Sequence, residues 1–217
     1  QPDIEAPKEA IQAVKNSGLT LLPYGPSQGS LTYREKLCKY YKKHGIEIVP
    51  DDILVTTGAS EALTFALNVI CDAGDEIIIP EPFYANYNGF ASASSVNVIP
   101  VMSEFISQFE LPSLEKIRQK ITGKTKAILL CNPNNPTGYV YSKKEVGTLI
   151  LLAIEYDIFL IVDEVYREFI HEGNKHYSVM QHPEGANHTV MIDSVSKRYS
   201  LCGARVGCVV SKNEELI

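Results

Sequence analysis

The chain has 217 residues, of which 45% are hydrophobic and 21% are charged, and its formal net charge is −6 at neutral pH. This composition is ordinary for a globular protein with a sizeable core, and the length allows one domain or two. The acidic balance argues against a nucleic-acid partner, and no apolar run approaches the roughly 18 residues of a membrane span.

Elements alternate along the chain. In order, we predict helices over 7–17 and 33–43, a strand over 53–56, a helix over 60–71, a strand over 76–79, a helix over 84–94, a strand over 96–101, a helix over 113–120, a strand over 127–131, a helix over 143–156, and strands over 159–163, 190–194 and 204–210. A Gly- and Pro-rich loop over 22–30 separates the first two helices. No repeat or internal linker interrupts this order.

Two of the predicted strands, 127–131 and 159–162, are continuous apolar runs, which is typical of strands covered on both faces. Seven strands separated mostly by helices indicate an α/β fold. We therefore predict a three-layer α/β/α architecture around a mainly parallel seven-stranded sheet with right-handed crossovers.

The five cysteines are widely scattered and lack CxxC spacing, so we expect neither a disulfide framework nor a zinc site. Cys71 and Cys131 lie in apolar stretches and are expected to be small core residues. The five histidines have no metal-binding spacing and are assigned no role. A reducing, cytoplasmic location fits this pattern best.

Polar residues of interest follow four predicted strands. Asp163 and Ser194 end two strands, Gly58 follows the first strand, and Asn135 follows the strand over 127–131. In parallel sheets of this kind, ligands bind beyond the carboxyl ends of the strands. The sequence therefore predicts one ligand site that these residues share.

Lys197 is the centre of this predicted site. It follows Ser194 in the motif SVSK, and Arg205 lies eight residues further on. A lysine amine can condense with a carbonyl group to form a Schiff base. The alternative is an ordinary solvated lysine, because the short motif alone is weak.

The combination of NPNNPTG at 132–138, DEVY at 163–166, SVSK at 194–197 and Arg205 resembles the pyridoxal-phosphate enzymes of fold type I. Within them it is similar to the class I and II aminotransferases, the aspartate aminotransferase-like enzymes. The resemblance runs from the first residue to the last and implies pyridoxal 5′-phosphate as cofactor.

The resemblance implies a role for each residue around the cofactor ring. Lys197 would form the Schiff base and later move the proton, and Asp163 would pair with the pyridinium nitrogen. Tyr166 and Asn135 would bond the phenolic oxygen, and Tyr84 would stack on the ring. The plainer alternatives are a helix-capping Asp163, a turn-forming Asn135 and an ordinary aromatic at 84.

The phosphate would lie where the first strand turns into the following helix, because helix N-termini present free N–H groups. The residues expected around it are Gly58, Ala59, Ser60, Ser194 and Arg205. Simple N-capping of the helix by Ser60 is the alternative.

Tyr24, in the loop over 22–30, matches the family's loop that reaches the cofactor phosphate of a neighbouring subunit. This match implies a homodimer with composite sites, whereas the alternative is a tyrosine packed on its own domain. The start at Gln1-Pro2-Asp3 resembles the middle of the family's glycine-rich substrate loop.

Family members usually have a second, smaller domain with an arginine for the substrate carboxylate. We therefore expect residues 1–217 to be the large, cofactor-binding domain of a longer enzyme, with little or no activity alone. The arginines here have other expected places: Arg34 and Arg118 on exposed helix faces, Arg167 pointing away from Tyr166, and Arg205 on the phosphate. Arg198, directly after Lys197, departs from the family pattern with unclear effect.

The predicted function is transfer of an amino group between an L-amino acid and a 2-oxo acid. Another fold type I activity, such as a β-lyase or an aminocyclopropane-carboxylate synthase, is the alternative within enzymes, because fold does not select reaction. An effector domain of an aminotransferase-like transcription regulator and a cofactor-free domain are the alternatives outside them. The sequence does not reveal which amino acid is preferred.

Overall fold

A seven-stranded sheet forms the centre of the molecule, as the sequence predicts. The computed structural model describes residues 4–171, 173 and 175–217, so the segment Gln1-Pro2-Asp3 lies outside the described residues. The strands are β1 (Ile53–Thr56), β2 (Glu76–Glu81), β3 (Asn97–Met102), β4 (Thr125–Cys131), β5 (Phe159–Asp163), β6 (Thr189–Ser194) and β7 (Gly207–Val210).

The sheet has the strand order β1-β7-β6-β5-β4-β2-β3. Strands β6, β5, β4, β2 and β3 pair in parallel, and β7 pairs antiparallel with both β1 and β6. The sheet is therefore mainly parallel, and the carboxyl ends of β4, β5 and β6 meet at one edge.

Helices cover both faces of the sheet. They are α1 (Lys8–Lys15), α2 (Leu31–Lys43), α3 (Ala59–Ile70), α4 (Asn86–Ala93), α5 (Leu114–Arg118) and α6 (Lys143–Tyr156), with short 3₁₀ turns at Pro50–Asp52, Val179–Gln181 and Cys202–Ala204. None of the described helices is both long enough and apolar enough to cross a membrane.

Alternation along the strands divides the core into two layers. Leu130 packs in the layer that contains α2 and α6, whereas its neighbour Leu129 packs in the layer with α3 and α4. Cys71 and Cys131 are buried in the second layer, which confirms their prediction as core residues. The arrangement is the predicted three-layer α/β/α fold.

Two predictions and one of the alternatives at this level are wrong. The last strand begins at Gly207 rather than at 204, because Arg205 adopts a left-handed conformation with φ 52° that interrupts the extended chain. Helix α3 is capped by Gly58 rather than Ser60, and Ser60 lies inside the helix. Arg34 is buried, because it donates hydrogen bonds to the Pro50 carbonyl at 2.7 Å and to Asp51 at 3.1 Å.

Candidate functional site

A cavity of about 340 Å³ opens at the carboxyl ends of β4, β5 and β6. All of the predicted site residues except Gly58 and Tyr24 line it. Three of them come from the ends or the continuations of strands that are neighbours in the sheet, which are Asn135 after β4, Asp163 in β5 and Ser194 in β6. The structure therefore brings together residues that are separated by up to 146 positions in sequence, from Ala59 to Arg205.

Asp163 lines this cavity and is buried. Its Oδ2 accepts a hydrogen bond from the Tyr87 hydroxyl at 2.9 Å, and its Oδ1 accepts one from the Val165 amide at 3.2 Å. Burial raises the pKa of Asp163 to about 6, although these two donors lower it. No described cation forms an ion pair with this carboxylate, so it can accept a charged N–H group from a ligand.

Lys197 faces the same cavity from the turn that follows β6. Its Nζ lies 5.8 Å from the centroid of the Tyr166 ring. Burial raises the pKa of the Tyr166 hydroxyl, and the neighbouring Lys197 lowers it. Within the described part of the chain, Lys197 has no carboxylate partner, so its amine is available to an electrophile in the cavity.

The turn after β1 supplies a place for an anion. Gly58 is the N-cap of α3 with φ 83°, and the first helical hydrogen bond of α3 runs from the Ala62 amide to the Gly58 carbonyl at 3.3 Å. The amides of residues 59–61 precede that bond and have no acceptor within the helix. Such a helix N-terminus is suited to a phosphate.

Arg205 lies against this turn. Its Nη1 donates to the Cys202 carbonyl at 2.8 Å and its Nη2 to the Thr57 carbonyl at 3.4 Å. A Cβ at position 58 would collide with the Arg205 guanidinium. The glycine therefore allows the arginine, the turn and the start of α3 to lie together.

Asn135 lies at the rim in a loop that Asn134 organises. The Thr137 amide donates to Asn134 Oδ1 at 3.1 Å, and the Gly138 amide donates to the Asn134 carbonyl at 2.9 Å. The turn-forming role that the sequence suggested thus belongs to the neighbouring residue. Asn135 itself is left facing the cavity.

Tyr84 also lines the cavity and is partly exposed. Its ring contacts that of Tyr87 edge-on, with centroids 5.4 Å apart, and its hydroxyl accepts from Asn86 Nδ2 at 2.7 Å. Sequence reasoning missed Tyr87, the hydrogen-bond donor to Asp163. In the predicted helix over 84–94, the spacing of three residues would have placed Tyr87 on the face of Tyr84. In the structure, the helix begins only at Asn86, so Tyr84 precedes it.

Tyr24 lies apart from the cavity, and its side chain is fully exposed. Its side chain therefore does not pack on the described part of the chain. None of the residues from 4 to 30 is buried, including those of α1. This segment presents several large apolar side chains, among them Val14 and Leu22, to the outside.

The family model for aminotransferase class I and II matches residues 1–217. A probable aspartate aminotransferase of Methanocaldococcus jannaschii is 34% identical over 221 residues, which cover 99% of this chain and 56% of that protein. The (5-formylfuran-3-yl)methyl phosphate transaminase of the same organism is 34% identical over 219 residues, covering 100% of this chain and 55% of that protein.

The crystal structure of an aspartate aminotransferase from Thermotoga maritima superimposes with a TM-score of 0.92 at 31% identity. The match covers 100% of this chain and 58% of that one. The chain thus spans a little over half the length of the proteins that it matches.

Proposed function

Because this chain belongs to the class I and II aminotransferases, we propose that the whole protein is a pyridoxal-phosphate-dependent aminotransferase. It moves an amino group between an L-amino acid and a 2-oxo acid. Residues 1–217 act as its large, cofactor-binding domain, and the protein works as a homodimer in the cytoplasm.

The observation that carries the proposal is the pairing of a buried carboxylate that has no described cationic partner with a lysine in one cavity. Asp163 needs a cation, Lys197 offers an amine, and the α3 N-terminus offers amides to an anion. An aromatic aldehyde that carries a protonated ring nitrogen and a phosphate satisfies all three. The residues present therefore fit pyridoxal 5′-phosphate.

When bound, pyridoxal phosphate supplies an aldehyde that amines can attack and a ring that takes up electrons from the substrate carbon. Lys197 holds the cofactor through its Nζ and, when released, carries the proton from the substrate carbon. Asp163 keeps the ring nitrogen protonated, and Tyr166 and Asn135 hold the phenolic oxygen. Tyr84 covers the ring.

The phosphate is held where the turn after β1 meets the end of β6. The residues at this place are Gly58, Ala59, Ser60, Ser194 and Arg205. The Arg205 guanidinium contributes charge-assisted hydrogen bonds, which are stronger than neutral ones. Tyr24 reaches the phosphate of the partner subunit, which is consistent with its full exposure here.

The arginine that binds the substrate carboxylate lies outside residues 1–217 in this proposal. Each arginine of the chain already has a partner, and four of them pair with carboxylates: Arg34 with Asp51, Arg118 with Glu155, and both Arg167 and Arg198 with Asp193. Arg205 is committed to the phosphate. The 217 residues alone should therefore have little or no activity.

Covalent attachment at Lys197 tests the proposal. The whole protein is incubated with pyridoxal phosphate and reduced with borohydride, and the labelled peptide is identified by mass spectrometry. We expect label on Lys197, loss of it in Lys197→Ala, and retention in Lys212→Ala, where the lysine is exposed and outside the cavity. Label on other lysines with none on Lys197 would refute the assignment.

A second step tests the reaction. Cofactor-loaded protein that has not been treated with borohydride is mixed with aspartate, with an aromatic amino acid, or with neither, and the visible absorbance of the lysine-linked cofactor is followed. We expect conversion with at least one L-amino acid and its reversal by a 2-oxo acid. A protein that binds the cofactor on Lys197 but releases ammonia and a 2-oxo acid instead would be a lyase.

A further inference from the structure

A second group of charged residues lies on the face of the sheet opposite the cavity. Asp193 and Ser194 are consecutive in β6, so their side chains point to opposite faces. Ser194 lines the cavity, whereas Asp193 accepts a hydrogen bond from Tyr41 of α2 at 2.7 Å. The Asp193 side chain is almost fully buried.

Asp193 binds two arginines at once. Its Oδ2 accepts from Arg167 Nη1 at 3.2 Å, and its Oδ1 accepts from Arg198 Nη2. Arg167 also pairs with Glu164 at 3.0 Å. The exposed fraction of all four charged side chains is 4% or less, so two acids and two bases form a buried group without net charge. His176 lies 3.6 Å from Glu164, and burial lowers its pKa, which favours the neutral imidazole.

The positions of the two arginines in the sequence link this group to the cavity. Arg167 directly follows Tyr166, and Arg198 directly follows Lys197. One carboxylate therefore binds the residue next to Tyr166 and the residue next to Lys197, whose Nζ lies 5.8 Å from the Tyr166 ring in the cavity. The Arg198 guanidinium also packs on the Tyr40 ring of α2, 4.5 Å from its centroid, which restricts it further.

A buried ion pair is a weak source of stability, because the cost of removing charges from water offsets much of their attraction. Apolar side chains of similar volume could fill the space between β6 and α2 equally well. What they could not do is fix two backbone positions relative to each other through directional, charge-assisted bonds. The ion pairs of Asp193 are thus suited to fixing the backbone positions of Arg167 and Arg198.

We propose that Asp193 is a positioning residue that, through Arg167 and Arg198, sets the Lys197 amine against the Tyr166 hydroxyl. The inference rests on the proposed function, since it concerns the lysine that would carry the cofactor. It also explains Arg198, which departs from the family pattern, as one of the two residues through which Asp193 acts.

The test measures the pH midpoint of the visible absorbance change of the cofactor-loaded whole protein. It compares the wild type with Asp193→Asn, Arg198→Met and the double variant, and thermal unfolding of each protein is recorded in parallel. Counting charges, Asp193→Asn leaves the buried group at +1, Arg198→Met leaves it at −1, and the double variant is neutral again. Stability should therefore fall in both single variants and recover largely in the double variant.

If the group acts only through its electric field, the two single variants shift the midpoint in opposite directions and the double variant returns to the wild-type value. If it positions Lys197, both single variants and the double variant shift the midpoint in the same direction. The shift is towards the midpoint of the cofactor bound to free Nα-acetyl-lysine, by about one pH unit. We expect this second result, and Arg198→Lys, which keeps the charge but not the planar fork, should shift less than Arg198→Met.

Arg118→Met is the matched control, because it breaks an arginine–carboxylate pair on the surface and should leave the midpoint unchanged. Opposite shifts that cancel, or no shift, would overturn the inference while leaving the proposed function intact. A wild type that never attaches the cofactor at Lys197 would overturn both. If a single variant fails to fold, the double variant decides: a wild-type midpoint there contradicts positioning, and a shifted one supports it.

Discussion

At the scale of single residues, Asp163 stands out because its surroundings disfavour its charge in the absence of a ligand. Only two neutral donors, the Tyr87 hydroxyl and the Val165 amide, compensate the buried carboxylate. A residue placed only for stability would rarely be left in this state. The free-energy cost of burying this carboxylate is consistent with a site in which a cationic ligand binds to it.

The pKa of Asp163 gives a prediction about stability and pH. Since the pKa rises from 3.8 to about 6 on folding, the folded chain binds the proton more tightly, and stability falls as the pH rises through this range. The neutral Asp163→Asn variant avoids this loss. Without cofactor, it should be more stable than the wild type above pH 6, by about 3 kcal/mol at most, and nearly equal to it at pH 4.

Urea unfolding of the cofactor-free protein at pH 4, 5, 6 and 7 measures this difference, and addition of pyridoxal phosphate should reverse it in favour of the wild type. Glu35→Gln, which alters an exposed carboxylate that forms no ion pair with the described residues, provides a control for a general effect of removing a charge. An advantage for Asp163→Asn that is largest at pH 4 would contradict the prediction.

At the scale of elements, β7 and the start of α3 pack backbone against backbone at Gly207. A Cβ at Gly207 would lie 2.5 Å from the Gly58 carbonyl carbon and 2.8 Å from the Ala59 nitrogen, both of them backbone atoms. Neither atom can move without displacing the turn whose amides would hold the phosphate. Gly207 is therefore needed both for the position of β7 in the sheet and for the shape of the phosphate-binding turn.

We predict that Gly207→Ala lowers stability by about 1–3 kcal/mol, as overpacking commonly does, and weakens cofactor binding more than tenfold. Gly203→Ala is the matched control, because a Cβ there meets nothing within 4 Å and the residue lies only four positions away. Chemical denaturation and equilibrium titration with pyridoxal phosphate measure the two effects. Equal behaviour of the two variants would remove the steric argument.

The elements themselves were predictable where local pattern decides them. Most of β4 and β5 is a continuous apolar run. Helix α6 is preceded by its N-cap Ser142, whose side chain forms a capping box with Glu145 in the first turn. The last strand was less predictable, because the apolar neighbours of Arg205 suggest extended chain. Its left-handed conformation accompanies hydrogen bonds to the distant Thr57 and nearby Cys202 carbonyls, and spacing along the sequence does not report the first of these.

The residues of the candidate site followed a similar division. Strand ends could be read from the sequence, so Asp163 and Ser194 were predictable as cavity residues. The buried group around Asp193 was not predictable from the sequence. It depends on which helix covers the other face of β6 and on which residues Arg167 binds. The burial of Arg34 was not predictable either, because the Pro50 carbonyl that accepts its hydrogen bond lies outside its own helix.

At the scale of the whole molecule, the segment from 4 to 30 contrasts with the rest of the chain. It contains an eight-residue helix and several large apolar side chains, yet no residue in it is buried. Apolar surface of this extent usually marks a site of interaction. This contrast agrees with the proposal that Tyr24 serves a partner subunit.

We predict that Tyr24→Phe in the whole protein weakens cofactor retention about tenfold or more without lowering the stability of the cofactor-free form, as expected for loss of a hydrogen bond to a charged group. Mixed dimers test whether the contact crosses between subunits. In a dimer of one Lys197→Ala chain and one Tyr24→Phe chain, the site that keeps Lys197 receives an intact Tyr24 only from the partner.

That mixed site should therefore bind the cofactor with wild-type affinity. Affinity as weak as in the Tyr24→Phe homodimer would mean that the tyrosine acts within its own chain, and the composite site would have to be abandoned.

The place of β7 between β1 and β6 has a consequence for the time at which the site can form. Ile53 pairs with Val210, 157 residues later, so β1 finds its partner only after nearly all of this sequence has been synthesised. The turn at Gly58 and the guanidinium of Arg205 meet through that same pairing. During translation, the strands from β2 to β6 can assemble first, and we expect affinity for the cofactor to arise late and abruptly, when β7 emerges from the ribosome and closes the sheet.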